Sequence, residues 1–131
     1  MIDTRVQRTG RWLLIAFYAL AGLGHLYFTQ AMVRIVPAWV PQPRLVVLVT
    51  GLCELAGAAA LVFPRWRKSA GWALAAYALC VWPANVQHAI NDLSHGNGLP
   101  IWYHVPRLAL QPLIIWWALW ASGAVRVRRA P

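Results

Sequence analysis

The sequence predicts an all-α fold: an integral membrane four-helix bundle with both termini on the cytoplasmic side. Three observations carry that prediction. The 131-residue chain is 60% hydrophobic and only 11% charged, too little charge to cover a water-soluble domain of this size. Four stretches, near 12–31, 45–63, 70–90 and 107–124, approach or reach the roughly 20 apolar residues that cross about 30 Å of hydrocarbon. Basic residues are dense on alternate sides of those stretches, which orients the bundle. At this length the chain reads as one domain over 1–131.

The first stretch, WLLIAFYALAGLGHLYF, follows Arg5, Arg8 and Arg11. Its apolar run exceeds that of a secretory signal, so it is expected to be an uncleaved signal-anchor. Arg65, Arg67 and Lys68 separate the second and third stretches, and Arg126, Arg128 and Arg129 follow the fourth. These three regions hold nine of the twelve basic residues, so the positive-inside rule places them, with both termini, in the cytoplasm. A net charge of +9 distributed in this way reads as topology and attraction to anionic lipid, and no nucleic acid partner is expected.

Between the first two stretches lies MVRIVPAWVPQPR. Pro37, Pro41 and Pro43 oppose a regular helix there, while Val33, Ile35, Val36, Trp39 and Val40 keep the segment apolar. It is expected to be a proline-rich interfacial loop on the outer side, with Trp39 at headgroup depth. The turn PRWRKS makes the second and third stretches antiparallel neighbours. The second outer connection, NDLSHGNGLPIWYHVP, turns at Gly96, Gly98 and Pro100 and re-enters the interface at Trp102 and Tyr103. Pro106 suits the first turn of the last helix. Cys53 and Cys80 form no C-x-x-C pair and read as small core residues.

Polar residues within apolar stretches mark a functional site by default, because a charge or imidazole in hydrocarbon is costly. Helical spacing puts His25 on the strip Ala21, Gly22, His25, Phe28 and Thr29. Glu54 joins Thr50, Cys53, Gly57 and Ala58, Asn85 and His88 align with Ala78 and Trp82, and Arg107 aligns with Gln111. All converge on the outer half of the membrane. Glu54 is the one acid within the stretches and Arg107 the one base placed to reach it, so a Glu54–Arg107 pair is expected, direct or through Gln111. Pro83 frees the carbonyl of Leu79 beside Asn85, which asks for a side-chain or water partner.

The ligand-binding candidates are therefore His25, Glu54, Trp82, Asn85, His88, Arg107 and Gln111. Their chemistry suits a quinone or another small polar-headed ligand, with His25 and Glu54 exchanging protons with the headgroup and Trp82 stacking on it. Haem or metal between His25 and His88 ranks below histidine hydrogen bonding, and no metal site is expected. No nucleotide, hydrolase or zinc-protease motif occurs, so no catalytic residue is assigned. A scaffold or assembly factor, with a purely architectural polar cluster, is the rival reading. A solute carrier is a third, weakened by the lack of polar residues in the cytoplasmic half.

At AGLGHLYF, VTGLCELAGAAALVFPRWR, WPANVQHA and RLALQPLIIWWAL the chain resembles the DoxX-like family of small four-helix membrane proteins. The resemblance implies a multi-pass bundle in a bacterial cytoplasmic membrane. It further implies an accessory subunit of a redox or envelope-stress system, acting with lipid and with protein partners in a membrane complex or as an oligomer. The chain lacks the paired cysteines that a thiol relay needs.

Overall fold

A computed structural model of the chain describes residues 3–96 and 98–125. Arg126, Arg128 and Arg129, assigned above to the cytoplasmic side, lie outside the described residues. The described chain is all α-helical, with five helices and no strand: α1 (Arg5–Tyr27), α2 (Thr29–Arg34), α3 (Pro43–Val62), α4 (Arg67–His95) and α5 (Ile101–Ala121).

Local chemistry sets the helix ends. Thr4 caps α1 by accepting the Gln7 amide at 3.1 Å, which satisfies one of the free N–H groups of the first turn. Pro43 opens α3, where its missing N–H costs nothing and its fixed φ suits the helix. Gln42 before it turns the chain in the left-handed region (φ 49°). Gly96 ends α4 in the same region (φ 67°), where a side chain is disfavoured, and its N–H closes on the Asp92 carbonyl.

Three expected boundaries move. The arginines before the first stretch are helical, since nothing after Thr4 interrupts the chain. WYHVP, expected as interfacial loop, forms the first turns of α5, so Pro106 lies inside the helix rather than at its start. The proline-rich loop is shortened by α2, which takes up Met32, Val33 and Arg34 before Pro37 and Pro41 break the pattern.

Helix α1 packs on α3 and α5, and α4 packs on α3 and α5, so α3 and α5 lie across a diagonal. Helix α2 folds over one end against α1 and α3. At the other end Leu14, Tyr18, Ala58, Leu61, Ala70, Leu74, Ala118 and Ala121 form the core. Arg11 closes that end. It is buried there, binds Asp3 and donates to the Ala121 carbonyl at 3.1 Å, so it is a structural tie and no free surface charge. Trp117 adds a bond from Nε1 to the Gly10 carbonyl at 2.9 Å.

Glycine permits the closest approach. A Cβ on Gly22 would stand 2.8 Å from the Gly51 carbonyl oxygen, and one on Gly51 would stand 2.8 Å from His25 Cβ. This contact draws α1 onto α3 and sets His25 against Glu54.

Four spanning stretches were expected. Among the described residues one helix, α3, is long and apolar enough to cross a membrane, and most of it is not buried in the bundle. The other long helices are diluted by Arg and Gln in α1, by Arg, Lys, Asn and Asp in α4, and by Trp, His, Pro and Gln in α5.

Candidate functional site

The polar residues assemble into two groups. The first lies where α1, α3 and α4 meet. Glu54 is 5% exposed, and its Oε1 accepts the Tyr77 hydroxyl at 2.7 Å. His25 Nδ1 stands 2.9 Å from Glu54 Oε2 and also 2.9 Å from the Ala21 carbonyl oxygen. One ring N–H cannot aim at both, and alignment favours the Ala21 carbonyl, so Oε2 is left without a donated hydrogen bond. The Tyr18 hydroxyl beside this group is likewise buried without a partner. The Tyr18 and Tyr77 rings meet edge to face, 6.4 Å apart.

The second group lies between α4 and α5. His88 and Asp92, four residues apart on one face of α4, bring Nε2 and Oδ2 to 3.1 Å. His104, in the first turn of α5 and 1% exposed, brings its Nε2 to 3.0 Å from the same oxygen. The Leu99 amide donates to it at 3.0 Å. Arg107 reaches back across α4, with Nη2 donating to Asn85 Oδ1 at 2.8 Å and Nη1 standing 3.1 Å from His88 Nδ1. Its guanidinium also lies over the Tyr103 ring, 5.9 Å from the centroid. One turn further along α5, Gln111 Nε2 donates to the Ala78 carbonyl at 2.6 Å.

The expected Glu54–Arg107 pair is not formed. Its two members sit on diagonal helices, and each finds a nearer partner on α4 or α1. His25 and His88, considered above as facing ligands, belong to different groups. Gln111 bonds the carbonyl of Ala78, adjacent to the Leu79 carbonyl that Pro83 frees, and so supplies a side-chain partner to that part of α4. Trp82 is half-buried, with Nε1 buried and without a partner. Cys53 and Cys80 are free thiols exposed on the outer helix faces, not core residues, because the inward positions beside them are taken by Glu54 and Ala78.

Sequence reasoning missed Tyr18, Tyr77, Asp92 and His104. The four-residue spacing of His88 and Asp92 was a usable signal for one of them. Tyr77 and Tyr18 had none, because their roles depend on which helices are neighbours.

A family description matches residues 14–122, most of the chain. The chain belongs to the DUF8561 family, a domain of unknown function. This assignment overturns the DoxX-like resemblance: the family that matches is DUF8561, and small-residue faces such as those of AGLGHLYF and VTGLCELAGAAA are what close helix packing produces in unrelated bundles. No curated protein and no solved structure matches the chain.

Proposed function

We propose that this DUF8561 protein is a multi-pass membrane bundle that binds a small, polar-headed ligand at Glu54. The observation that carries the reading is the pair of unsatisfied buried atoms in the first group, Glu54 Oε2 and the Tyr18 hydroxyl. A buried polar group without a partner costs about 1–3 kcal/mol. A ligand that donates one hydrogen bond to Oε2 and accepts one from Tyr18 removes both costs. A phenol or hydroquinone headgroup on an apolar body has that chemistry, and its tail would lie along the apolar helix faces.

The distribution of side chains supports the membrane setting. Leu20 is 70% exposed and Trp72 57%, and Trp12, Leu13, Leu52, Leu79, Leu113 and Trp116 also face outward on the four long helices. Arg11, Glu54, His88, His104 and Gln111 are buried. Water would reward the reverse arrangement, whereas lipid accepts an apolar exterior and forces polar groups inward. In this reading the four long helices span the membrane, and the clustering of basic residues at the start of α1, around the turn between α3 and α4 and after α5 orients that end of the bundle to the cytoplasm.

The test is native mass spectrometry of gently solubilised protein beside Glu54→Gln and His25→Ala. The reading predicts a retained small molecule in the wild type, lost in Glu54→Gln while the helical content is unchanged. A wild type carrying only phospholipid refutes it. That outcome favours the scaffold reading, which has its own supporting observation: in the second group Arg107 donates to Asn85 and Gln111 to the Ala78 carbonyl, tying α5 to α4 as architectural contacts would.

A further inference from the structure

We propose that His88, Asp92 and His104 form a binding site for a divalent transition cation. The site is separate from Glu54 and goes beyond the ligand reading above. Its three donor atoms, His88 Nε2, His104 Nε2 and Asp92 Oδ2, all lie within 4.8 Å of one another. Two ligands held about 2.1 Å from a tetrahedral metal are roughly 3.4 Å apart. The nitrogen–oxygen separations of 3.0 and 3.1 Å therefore open by a few tenths of an ångström to admit one, a change that small side-chain rotations supply.

Hydrogen bonding alone accounts poorly for this convergence. A carboxylate oxygen offers two lone pairs, and the Leu99 amide takes one of those on Oδ2. Both imidazole Nε2 atoms then compete for the second. A single cation satisfies both nitrogens and the oxygen at once, while the Leu99 amide stays in place and orients the carboxylate, as outer hydrogen bonds do in metal sites. On His104 the ring proton sits on Nε2, held only by the bond to Asp92 Oδ2, because Nδ1 is buried without a partner; cation binding moves that proton to Nδ1 and exchanges the bond to Oδ2 for the metal. Two imidazoles and one carboxylate suit Zn²⁺ and its first-row neighbours, and three protein ligands leave a position open for water.

Arg107 opposes the cation. With Nη1 donating to His88 Nδ1, the ring proton of His88 sits on Nε2, where the metal would bind. Cation binding moves that proton to Nδ1 and releases Nη1, leaving Arg107 on Asn85 and over Tyr103. Arg107 is thus a positioning residue that weakens the site through both tautomer and charge.

The full chain, purified in detergent and stripped with chelator, is titrated with Zn²⁺ by calorimetry and with Co²⁺ by visible absorption. The expected result is one equivalent bound with a four- or five-coordinate Co²⁺ spectrum. Asp92→Asn and His104→Gln weaken binding by at least about tenfold. His95→Gln, which removes an exposed histidine at the end of α4, leaves it unchanged. Glu54→Gln also leaves it unchanged, which separates this site from the ligand reading. Arg107→Met tightens it, and decides the matter alone where the Asp92 and His104 variants fail to fold. Absence of one-equivalent binding, equal affinity in Asp92→Asn, or unchanged or weaker binding in Arg107→Met overturns the proposal.

Discussion

The same substitution, glycine to alanine, should lower stability at Gly51 on α3 and leave it unchanged or raised at Gly24 on α1. At Gly51 the added Cβ meets His25 Cβ at 2.8 Å and the Gly22 carbonyl oxygen at 3.0 Å. Both obstacles are fixed to the α1 backbone, so neither can swing aside. Ordinary contact begins near 3.4 Å, and the helices must separate by about half an ångström, a strain of roughly 1–3 kcal/mol. The same movement opens the 2.9 Å contact between His25 and Glu54. At Gly24 nothing lies within 4 Å of the new Cβ, so Gly24→Ala gains only helix propensity, up to about 1 kcal/mol. For a chain of this size each kcal/mol shifts the melting temperature by roughly 3–5 °C. Thermal unfolding followed by circular dichroism should show Gly51→Ala lowered and Gly24→Ala unchanged or raised. Equal shifts in both, or a stabilised Gly51→Ala, would refute the close α1–α3 packing on which the Glu54 group depends.

Three further outcomes follow from other contacts. Arg11→Met leaves the Ala121 carbonyl without its side-chain donor and Asp3 with Arg67 alone, at 3.5 Å, and should cost about 1–3 kcal/mol, read as a lower melting temperature. The hydrogen bond from Arg11, with the nearby charges of Arg11, Arg67 and Arg8, holds the Asp3 carboxyl below its usual 3.8 against the opposing effect of burial. A lowered folded-state value means the contribution is present above pH 3.8 and lost as pH falls through the lowered value. Melting temperature should therefore drop in strong acid more steeply in the wild type than in Asp3→Asn. Gln111→Leu removes the donor to Ala78 and should cost about 1 kcal/mol, a typical figure for an interhelical hydrogen bond in a bundle of this kind, with hydrogen exchange rising around Pro83.

Much of the fold is legible in the sequence. Leu45 to Phe63 announces α3, and the two residues it misses are explained by Pro43, which starts helices as readily as it breaks them. The start of α5 was harder, because Trp102, Tyr103 and Pro106 carry the composition of an interface while forming helical turns. The faces were also legible: Glu54 and Gln111 do point inward. Their partners were not. Helical periodicity states which residues share a face, but α3 and α5 lying on a diagonal, with nearer partners for Glu54 and Arg107 on α1 and α4, is a property of the assembled bundle. Tyr77 meets Glu54 across two helices with no spacing to reveal it.

The central claim is that the apolar exterior faces lipid, and Cys53 and Cys80 report on it directly. Both thiols are free and exposed on helix surfaces, so in water they would react readily, whereas a maleimide attacks only a thiolate that water can reach. Intact membranes containing the protein are treated with a charged, water-soluble maleimide, and the modified cysteines are counted by mass spectrometry. The membrane reading predicts no labelling until the bundle is unfolded in sodium dodecyl sulfate, after which both cysteines react. Rapid labelling of either residue in the intact membrane, or recovery of the folded chain in the soluble fraction, would contradict it.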